Sequence, residues 1–387
     1  MLTKKKAVIP INIVLFNLMR LLPIRDNRLW VFGALEGKKY DDNSKYMYEY
    51  MLKFHSKEYK CVWLTNNRDT LYDLRKRSYN VYLNSSLLGK WIQMRAGVAF
   101  YTHGLMDFGL FPLLGGAEIV ALWHGLGFKN IYNGKYSGWK LKAKKTLDHL
   151  FSWTYRTITP VTSNYSVDWA RRMFTLNASN IYITGQPRND VFKAIDRNRI
   201  LHSIGIDSKK KVVAYMPTYR NPAMGENAMS NIVKNLYYNK TLSDALTKNN
   251  FFFLVKLHPL TPHIDLPPRD NFAVISYREV SDNQQLMGAC DVLVTDYSSC
   301  FVDFALLKRP LIFYLPDVDE FFKKSEKLDK EFFNLAKENM AVSVDELADK
   351  IIEQSLDAVF ATNNIFEDVS INNTCYSENV YNVVVGK

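Results

Sequence analysis

The stretch CDVLVTDYSSCFVDFALLKRPLIFYLP (290–316) decides the class of fold. Its first apolar run, CDVLVTD (290–296), leads into a helical pattern, and a second apolar run, PLIFYLP (310–316), follows. Nearly continuous apolar strands that alternate with helices are typical of parallel sheets covered on both faces. The stretch therefore predicts part of an α/β domain with a parallel sheet.

The same alternation continues on both sides of this stretch. The other strand candidates of the second half are KVVAYMP (211–217), FFFLVKLHP (251–259) and FAVIS (272–276). Those of the first half are LWVFG (29–33), CVWLT (61–65), NVYLN (80–84), VAFYTHG (98–104), EIVALWHG (118–125) and IYITG (181–185). With a break near 186–210, this pattern predicts two Rossmann-like domains that face each other across a cleft. Ligands of open parallel sheets bind at the carboxyl ends of the strands, so polar motifs are expected there.

Length and composition agree with two globular domains. The chain has 387 residues, of which 47% are hydrophobic and 23% charged, so disorder and repeat arrays are not expected. Its four cysteines lie far apart without a CxxC pair, which excludes a disulfide scaffold or a zinc cluster as the organising principle and fits a reducing compartment. The net charge of +11 calls for an anionic partner: nucleic acid, phospholipid or a phosphate-rich substrate.

The basic start of the chain accounts for part of this charge. Residues 1–30 carry a net charge of +5, and the run AVIPINIVLFNLMRLL (7–22) follows three lysines. Asn12, Asn17 and Arg20 interrupt the run, no small-residue cleavage site follows, and the run is shorter than the ~20 apolar residues of a spanning helix. The pattern favours an amphipathic segment on an anionic membrane surface. A buried first helix is the alternative.

A second basic block covers residues 129–172, with a net charge of +7 and interspersed apolar side chains such as Trp139 and Phe151. The pattern suits a helix whose basic face meets phospholipid headgroups or a polyphosphate chain. A solvated charged face explains it equally well. Nucleic acid is not expected as a partner, because no helix-turn-helix, zinc-finger or RNP signature is present.

Candidate catalytic groups of the first half follow its strands. His124, in WHGLGFK (123–129), ends a strand and is followed by glycines, which suits a general base. Lys129 is placed to hold a phosphate, and His103 ends the preceding strand in a similar way. In TGQPRND (184–190), Arg188 either projects as a bidentate phosphate ligand or pairs with Asp190 to brace the linker.

In the second half, two strand ends carry further basic groups. The amide and hydroxyl of Thr218 are expected to meet a phosphate, with Arg220 adding charge. Lys256 and His258 are two residues apart, so on one strand both side chains would point toward the same anionic ligand.

The motif VTDYSSCFVD (294–303) is the sharpest of the sequence. A strand ends and a helix begins at Ser298 and Ser299, where free amides make an anion site. Asp303 is expected to reach a ribose hydroxyl. Asp296 is grouped with the residues expected to bind the phosphate-bearing ligand. Alternatively, Asp296 and the serines only cap the helix. The stretch Asp317-Val318-Asp319 matches the metal-binding DxD pattern. We interpret its two aspartates as loop carboxylates, so neither a metal nor a cofactor is predicted.

Five motifs together resemble the CDP-glycerol glycerophosphotransferase family, which builds wall teichoic acids and related capsule polymers. They are HGxxxK (124–129), GQPRND (185–190), YMPTYR (215–220), KLHP (256–259) and TDYSS…D (295–303), in the family's order. The resemblance implies a GT-B fold and peripheral association with the cytoplasmic face of the membrane. It also implies transfer of a polyol phosphate from a CDP-polyol to a hydroxyl of an undecaprenyl-type lipid-linked acceptor, with release of CMP.

The resemblance also assigns roles. His124 matches the family's proposed base, and Arg188 matches a charge-stabilising residue. His258, Thr218, Ser298 and Ser299 match contacts to the donor diphosphate, and Asp303 matches a ribose contact. Leu126 departs from the threonine that the family often has after His-Gly, which places the local acceptor contacts in question.

The expected organisation is a membrane-associating segment (1–26), an acceptor domain (27–190), a CDP-polyol domain (191–365) and a tail that crosses back to the first domain (366–387). Three alternatives remain: CDP-ribitol as the donor, a GT-B enzyme that uses a nucleotide-sugar, and a non-enzymatic protein that binds membrane surfaces or polyanions. The sequence does not separate a primase from a polymerase.

Overall fold

Two large parallel β-sheets organise the chain. The computed structural model describes residues 9–125, 137–151, 158–174, 176–324, 337–356 and 375–386. The chain divides into two compact units, each with one of the large sheets. The first unit comprises Met1–His124, Ile131–Asp190 and Asp368–Lys387, and the second comprises Gly125–Asn130 and Val191–Glu367.

The sheet of the first unit has five strands. They are β1 (Asp26–Phe32), β2 (Lys60–Thr65), β3 (Val81–Leu83), β4 (Ala96–Tyr101) and β5 (Glu118–Ala121). All neighbours pair in parallel, in the spatial order β3-β2-β1-β4-β5. This is the strand order of a Rossmann-like half, and all five strands coincide with predicted apolar runs.

A smaller parallel sheet continues the first unit. It pairs β6 (Thr159–Val161) with β7 (Ile181–Ile183), and a bridge between Ile158 and Val120 joins it to the end of β5. The sequence predicted β7 and missed β6. The reason is local: β6 has three residues and is centred on Pro160, which has no backbone N–H to donate.

The first unit also has six described α-helices before β7. They are α1 (Ile9–Arg20), α2 (Asp42–Phe54), α3 (Arg68–Lys76), α4 (Leu87–Arg95), α5 (Gly138–Phe151) and α6 (Asn164–Phe174). The side chains of Asn67 and Ser86 begin α3 and α4 by accepting hydrogen bonds from backbone N–H groups of the first turn. Those donors have no partner within a helix, so the caps fix where each helix starts.

The strands separate two cores in the first unit. Trp30 and Phe32 of β1 pack into one core, and Leu29 and Val31 pack into the other. All four side chains are buried. Burial on both faces explains why residues 29–32 are apolar at every position instead of at alternate positions.

The second unit has a six-stranded parallel sheet. Its strands are β8 (Lys211–Met216), β9 (Phe251–Lys256), β10 (Phe272–Ile275), β11 (Val292–Thr295), β12 (Leu311–Tyr314) and β13 (Met340–Ala341). The spatial order is β10-β9-β8-β11-β12-β13. The sequence predicted β8 to β12; β13 is only two residues long.

The helices of this unit are α7 (Arg197–Ser203), α8 (Ala228–Tyr238), α9 (Lys240–Lys248), α10 (Asn283–Ala289), α11 (Cys300–Ala305), α12 (Val318–Lys324) and α13 (Val344–Leu356). They give the sheet a core on each face. The prediction of an α/β fold with parallel sheets is therefore confirmed in each unit.

A last helix, α14 (Tyr376–Val385), belongs to the first unit. Val380 and Val384 lie in the same core as Trp30 and Phe32. The described end of the chain thus contributes to the core of the first unit, although the second unit precedes it in the sequence. Among the described helices, none is both long enough and apolar enough to cross a membrane.

Candidate functional site

Two histidines meet at the carboxyl edge of the first unit's sheet. His103 follows β4 and His124 follows β5, and these strands are neighbours. The imidazole rings stack with their centroids 4.0 Å apart and their planes 12° apart. Both residues are partly exposed, so a substrate can approach the rings. The structure thus brings together the two histidines that the sequence selected at successive strand ends.

The backbone near His124 decides which ring nitrogen is basic. Nδ1 of His124 lies 3.1 Å from the carbonyl oxygen of Thr102. A carbonyl oxygen only accepts hydrogen bonds, so Nδ1 carries the proton of the neutral ring and Nε2 keeps its lone pair. A general base needs an unprotonated ring nitrogen beside the substrate.

Trp123 holds the backbone before His124 in an unusual conformation. Its φ is +60°, in the left-handed region that non-glycine residues rarely adopt at a cost of about 1–3 kcal/mol. The Trp123 carbonyl accepts a 2.9 Å hydrogen bond from Nδ2 of the buried Asn43, and the indole lies against the His124 ring at 4.2 Å. These contacts offset the strain and fix the direction in which His124 leaves the strand.

The buried Asp107 organises the turn that follows β4. Its Oδ2 accepts hydrogen bonds from the backbone N–H groups of Thr102 (2.8 Å) and His103 (3.0 Å), and Oδ1 accepts one from Glu36 N–H (2.6 Å). Burial raises the pKa of Asp107 to about 6, and the N–H donors limit that rise. Burial and the nearby His124 lower the pKa of His103 to about 4, so His103 presents a neutral ring at pH 7.

Arg188 is buried in the first unit, and its charge is already paired. Nη1 lies 2.8 Å from Oδ1 of Asp42, and the Arg188 side chain is 7% exposed. The Arg188 backbone N–H donates to Oδ1 of Asn43 at 3.0 Å, so one asparagine links Arg188 to Trp123. A direct phosphate contact from Arg188 stays a prediction, and any anion would have to share the guanidinium with Asp42.

The predicted pairing of Arg188 with Asp190 is wrong. The carboxylate of Asp190 instead accepts hydrogen bonds from the start of α14: from Tyr376 N–H at 2.7 Å, and from Ser377 N–H and Oγ at 2.9 and 2.6 Å. A carboxylate at a helix N-terminus satisfies free donors and opposes the positive end of the helix dipole. Asp190 therefore anchors the last helix.

In the second unit, an arginine and an aspartate hold the loop after β8. The Thr218 backbone N–H donates to Oδ1 of Asp296 at 2.8 Å, and the Thr218 carbonyl accepts from Arg220 Nη1 at 2.8 Å. Arg220 Nη1 also lies 2.7 Å from Oδ2 of Asp296, and both side chains are almost fully buried. Contacts of Thr218, Arg220 and Asp296 with the donor stay predictions, because here the Thr218 N–H, Arg220 and Asp296 hold each other. Among the described residues, the buried Thr218 hydroxyl has no hydrogen-bond partner.

Asp317 completes this network. Its carboxylate lies 2.6 Å from Nε and 3.1 Å from Nη2 of Arg220, and it accepts a hydrogen bond from the Tyr297 hydroxyl at 3.2 Å. The first aspartate of the DxD imitation is thus an ion-pair partner inside the protein. Within the described ranges no group of three or more acidic, cysteine or histidine side chains is placed to hold a metal ion.

Lys256 and His258 have different surroundings. Strand β9 ends at Lys256, which is buried and donates to Val280 O at 2.7 Å and to Asn283 Oδ1 at 2.6 Å. His258 lies beyond the strand and is exposed, with its ring 5.7 Å from that of Tyr219. The prediction that both side chains share one strand face is wrong because the strand ends between them.

The two serines begin a short helix, as expected. Ser298 and Ser299 are partly exposed and precede the six-residue α11, and Ser298 Oγ accepts a 3.4 Å hydrogen bond from Cys300 N–H. Asp296 takes no part in this cap. Asp303 is 3% exposed, and its Oδ2 accepts a 3.2 Å hydrogen bond from Gln284. A ribose contact from Asp303 stays a prediction.

Lys129 lies outside the described residues, as does much of the basic block that surrounds it. Within the described part of that block, Trp139 of α5 is 76% exposed, and the Lys140 ammonium lies 5.9 Å from the centroid of its ring.

Sequence reasoning missed the residues that support the histidines. Asn43 and Asp42 act through hydrogen bonds to residues 80 to 146 positions away. Asp107 binds the nearby N–H groups of Thr102 and His103 and that of Glu36, 71 positions away. Nothing in the local sequence distinguishes these residues from surface polar groups. An aspartate in a turn after a strand-end histidine was the one available signal, and it is weak.

Comparison with known proteins places this site in a family. A teichoic acid poly(glycerol phosphate) polymerase of Bacillus spizizenii is 28% identical over 394 residues, covering 97% of this chain and 94% of that protein. A protein of the same name from Bacillus subtilis is 26% identical over 357 residues, but the chain spans only 45% of its length. A solved structure of the wall teichoic acid polymerase TagF with CDPG aligns with a TM-score of 0.74 at 23% identity, over 100% of this chain and 96% of that one. The last comparison shows a shared fold.

The family model extends across both units. It carries the description CDP-glycerol:poly(glycerophosphate) glycerophosphotransferase and matches residues 14–385. The match includes both strand-end histidines of the first unit and the serine motif of the second. The chain therefore belongs to the CDP-glycerol:poly(glycerophosphate) glycerophosphotransferase family.

Proposed function

We propose that the protein transfers glycerol phosphate from CDP-glycerol to a hydroxyl of a membrane lipid-linked acceptor in teichoic acid synthesis. Family membership supports the reaction type, and the fixed ring of His124 is the observation that carries the mechanism. The acceptor oxygen attacks the glycerol-bearing phosphorus as its proton passes to Nε2 of His124. The bond from that phosphorus to the bridging oxygen breaks, and CMP leaves with the electron pair.

We assign binding of the donor phosphates to exposed side chains of the second unit. His258, Ser298 and Ser299 are accessible, and each can donate a hydrogen bond to a phosphate oxygen. Arg220 and Asp296 become supporting residues that hold the Thr218 loop. Lys256 is likewise assigned to the protein interior, because its ammonium already donates to two protein oxygens.

Removing the base tests this mechanism. A general base accelerates the chemical step about 10²–10⁴-fold, so His124→Ala is expected to lower kcat by at least about 100-fold. Affinity for CDP-glycerol, measured by calorimetry, is expected to change less than about threefold, because the donor phosphates contact other residues. His263→Ala serves as the matched control, since His263 is an exposed histidine of the second unit paired with Asp265. Near-normal turnover by His124→Ala would overturn the assignment.

CDP-ribitol remains the alternative donor, since ribitol and glycerol present similar hydroxyls. Mass spectrometry of products from a defined lipid-linked acceptor, incubated with each CDP-polyol in turn, separates the two. The same spectra count the added units and so distinguish a primase from a polymerase. Release of UDP or UMP from a nucleotide-sugar would instead indicate a glycosyltransferase.

We further propose that α1 places the enzyme on the cytoplasmic face of the membrane. Ile11, Val14 and Leu18 lie on one face of the helix and are 50–58% exposed, whereas Asn12 and Phe16 on the other face are buried against the unit. An apolar face beside basic residues suits an interfacial helix. Helix α1 is thus half-buried. One face packs in the first unit, as a buried first helix would, and the other face is exposed, as in a membrane-associating segment.

Point variants of this exposed face test the membrane proposal without disturbing the core. Val14→Ser with Leu18→Ser is expected to weaken co-sedimentation with anionic vesicles by at least about tenfold, since each removes apolar surface worth ~1–2 kcal/mol when buried. Tyr238→Ser is the control, because Tyr238 is equally exposed but lies in the second unit. Unchanged vesicle binding by the double variant would refute the role of α1.

A further inference from the structure

We propose that Asp107 is a positioning residue that fixes the ring of His124 through the backbone of Thr102. The inference rests on the proposed function of His124 as the general base. Asp107 does not contact the His124 ring; it acts through one peptide group. In the sequence, only its place in the turn after a strand-end histidine marks this residue.

The peptide bond between Thr102 and His103 is the mechanical link. It carries the His103 N–H at one side and the Thr102 carbonyl at the other, and in a trans peptide these groups point in opposite directions. Oδ2 of Asp107 accepts the His103 N–H at 3.0 Å. The Thr102 carbonyl is therefore aimed away from Asp107, and there it meets Nδ1 of His124 at 3.1 Å.

Two further hydrogen bonds keep the carboxylate itself in place. Oδ2 also accepts the Thr102 N–H at 2.8 Å, and Oδ1 accepts the Glu36 N–H at 2.6 Å. Asp107 is completely buried, so water does not compete for these bonds. Gly104, which follows His103 in the turn, has φ +110°, and a Cβ built there would meet no atom within 4 Å, so side-chain packing at this position adds no restraint on the turn.

The consequence for catalysis is control of the tautomer. With the Thr102 carbonyl held in place, the neutral His124 ring keeps its proton on Nδ1 and its lone pair on Nε2. Without Asp107 the peptide is free to rotate, and the ring samples the tautomer whose Nε2 is protonated and cannot accept a proton. Loss of such an orienting partner typically costs about 10–100-fold in activity.

The experiment uses the full chain and the Asp107→Asn variant, in which an amide N–H₂ replaces one acceptor oxygen. We expect kcat to fall about 10–100-fold while the KM for CDP-glycerol changes less than about threefold. Asp291→Asn is the control: Asp291 also accepts a backbone N–H, from Val212 at 2.7 Å, but lies in the second unit. It should lower stability without lowering kcat.

A spectroscopic measurement separates positioning from simple bracing of the fold. Long-range ¹H–¹⁵N correlation spectra of protein with labelled histidine report the tautomer of each ring, and His124→Gln assigns the signal. The substrate-free enzyme should show His124 as the Nδ1–H tautomer, and Asp107→Asn should show a mixture. If Asp107→Asn lowers the melting temperature and kcat while the tautomer stays Nδ1–H, Asp107 only braces the fold and the proposal is overturned.

Two outcomes distinguish this proposal from the proposed function. If Asp107→Asn does not fold, the wild-type spectrum still decides, because an Nε2–H tautomer of His124 would contradict the inference on its own. If His124→Ala retains turnover, the proposed function fails even where the wild-type ring shows the Nδ1–H tautomer. Asp107→Glu, which keeps the carboxylate on a longer side chain, is expected to restore more of kcat than Asp107→Asn does.

Discussion

Replacing Arg220 by methionine is expected to destabilise the second unit strongly. The guanidinium is 1% exposed and contacts two carboxylates, those of Asp296 (0% exposed) and Asp317 (13%). Burial opposes the charge of Arg220, but the two carboxylates outweigh it and raise the pKa of the guanidinium. In Arg220→Met both carboxylates stay buried without a counter-charge, which costs about 3–5 kcal/mol for a buried pair.

The distribution of tryptophan provides the assay. All seven tryptophans of the chain lie in the first unit, so their fluorescence follows that unit alone, whereas far-UV circular dichroism follows both. In urea, Arg220→Met is expected to lower the midpoint seen by circular dichroism and to leave the fluorescence midpoint unchanged. With m of about 1–3 kcal/mol per M, a loss of 3–5 kcal/mol lowers the midpoint by at least about 1 M.

Two further variants decide how the loss arises. The triple variant Arg220→Met, Asp296→Asn, Asp317→Asn removes the stranded carboxylates and should recover a substantial part of the stability. Arg197→Met is the matched control: Arg197 pairs with Asp291 in the same unit, but both side chains are about one-third exposed, so a loss below about 1 kcal/mol is expected. A loss below about 1 kcal/mol in Arg220→Met, together with a tenfold weaker affinity for CDP-glycerol, would refute the bracing role and make Arg220 a donor ligand.

Three further predictions concern the first unit. Gly185→Ala should lower the free energy of unfolding that tryptophan fluorescence reports by at least ~2 kcal/mol, because φ is +74° and the new Cβ would overlap the Tyr376 ring; wild-type stability would contradict this. The pKa of His103 is about 4, against 6.5 in the unfolded chain, so His103 contributes stability that is lost as the pH drops from about 6.5 through 4, whereas the raised pKa of Asp107, about 6, acts in the opposite sense. In His103→Gln this pH dependence of the unfolding free energy, worth up to ~3 kcal/mol, should be lost. Urea titrations at a series of pH values measure it, and a profile like that of the wild type would count against the prediction. Asp42→Asn strands the buried Arg188 and should cost ~3 kcal/mol by the same fluorescence assay, whereas a loss below ~1 kcal/mol would show that the pair is not needed.

Much of the fold was predictable because the strands are buried on both faces. Residues 98–101 and 119–123 are apolar at every position, and a parallel sheet between two helical layers buries every side chain of such a run. The strand-end rule then selected His103 and His124. The rule works because it follows from topology: neighbouring parallel strands end at the same edge, whatever the loops do.

The partners of charged groups were not predictable. Arg188 and Asp42 are 146 residues apart, and Arg220 and Asp317 are 97 apart. In the sequence, each arginine is a strong cation near a strand end. A phosphate ligand and an internal ion-pair partner (a brace) both fit this description. Only packing tells the two apart, since a brace is buried with its carboxylate and a ligand is left exposed.

Position along a strand was a second source of error. The two-residue period that placed Lys256 and His258 on one face applies only where the backbone is extended, and β9 ends at Lys256. Beyond that residue the chain turns, so His258 reaches solvent while Lys256 turns inward to Asn283. Predicting the end of a strand to within two residues would have been needed to avoid this error.

The contacts of Arg220 bear on how we propose the donor phosphates are bound. From the sequence, Arg220 is expected to add positive charge at the phosphate. In the second unit, however, Arg220 is outnumbered by Asp296 and Asp317, so this group carries a net charge of −1 and offers no attraction to a phosphate. Among the described residues, the proposed donor contacts then rest on neutral hydroxyls and amides at Ser298 and Ser299 and on the imidazole of His258. Binding by such groups depends on geometry more than on charge, so CDP-glycerol affinity should depend only weakly on salt, and a steep fall between 50 and 500 mM NaCl would show that a cation outside the described residues dominates.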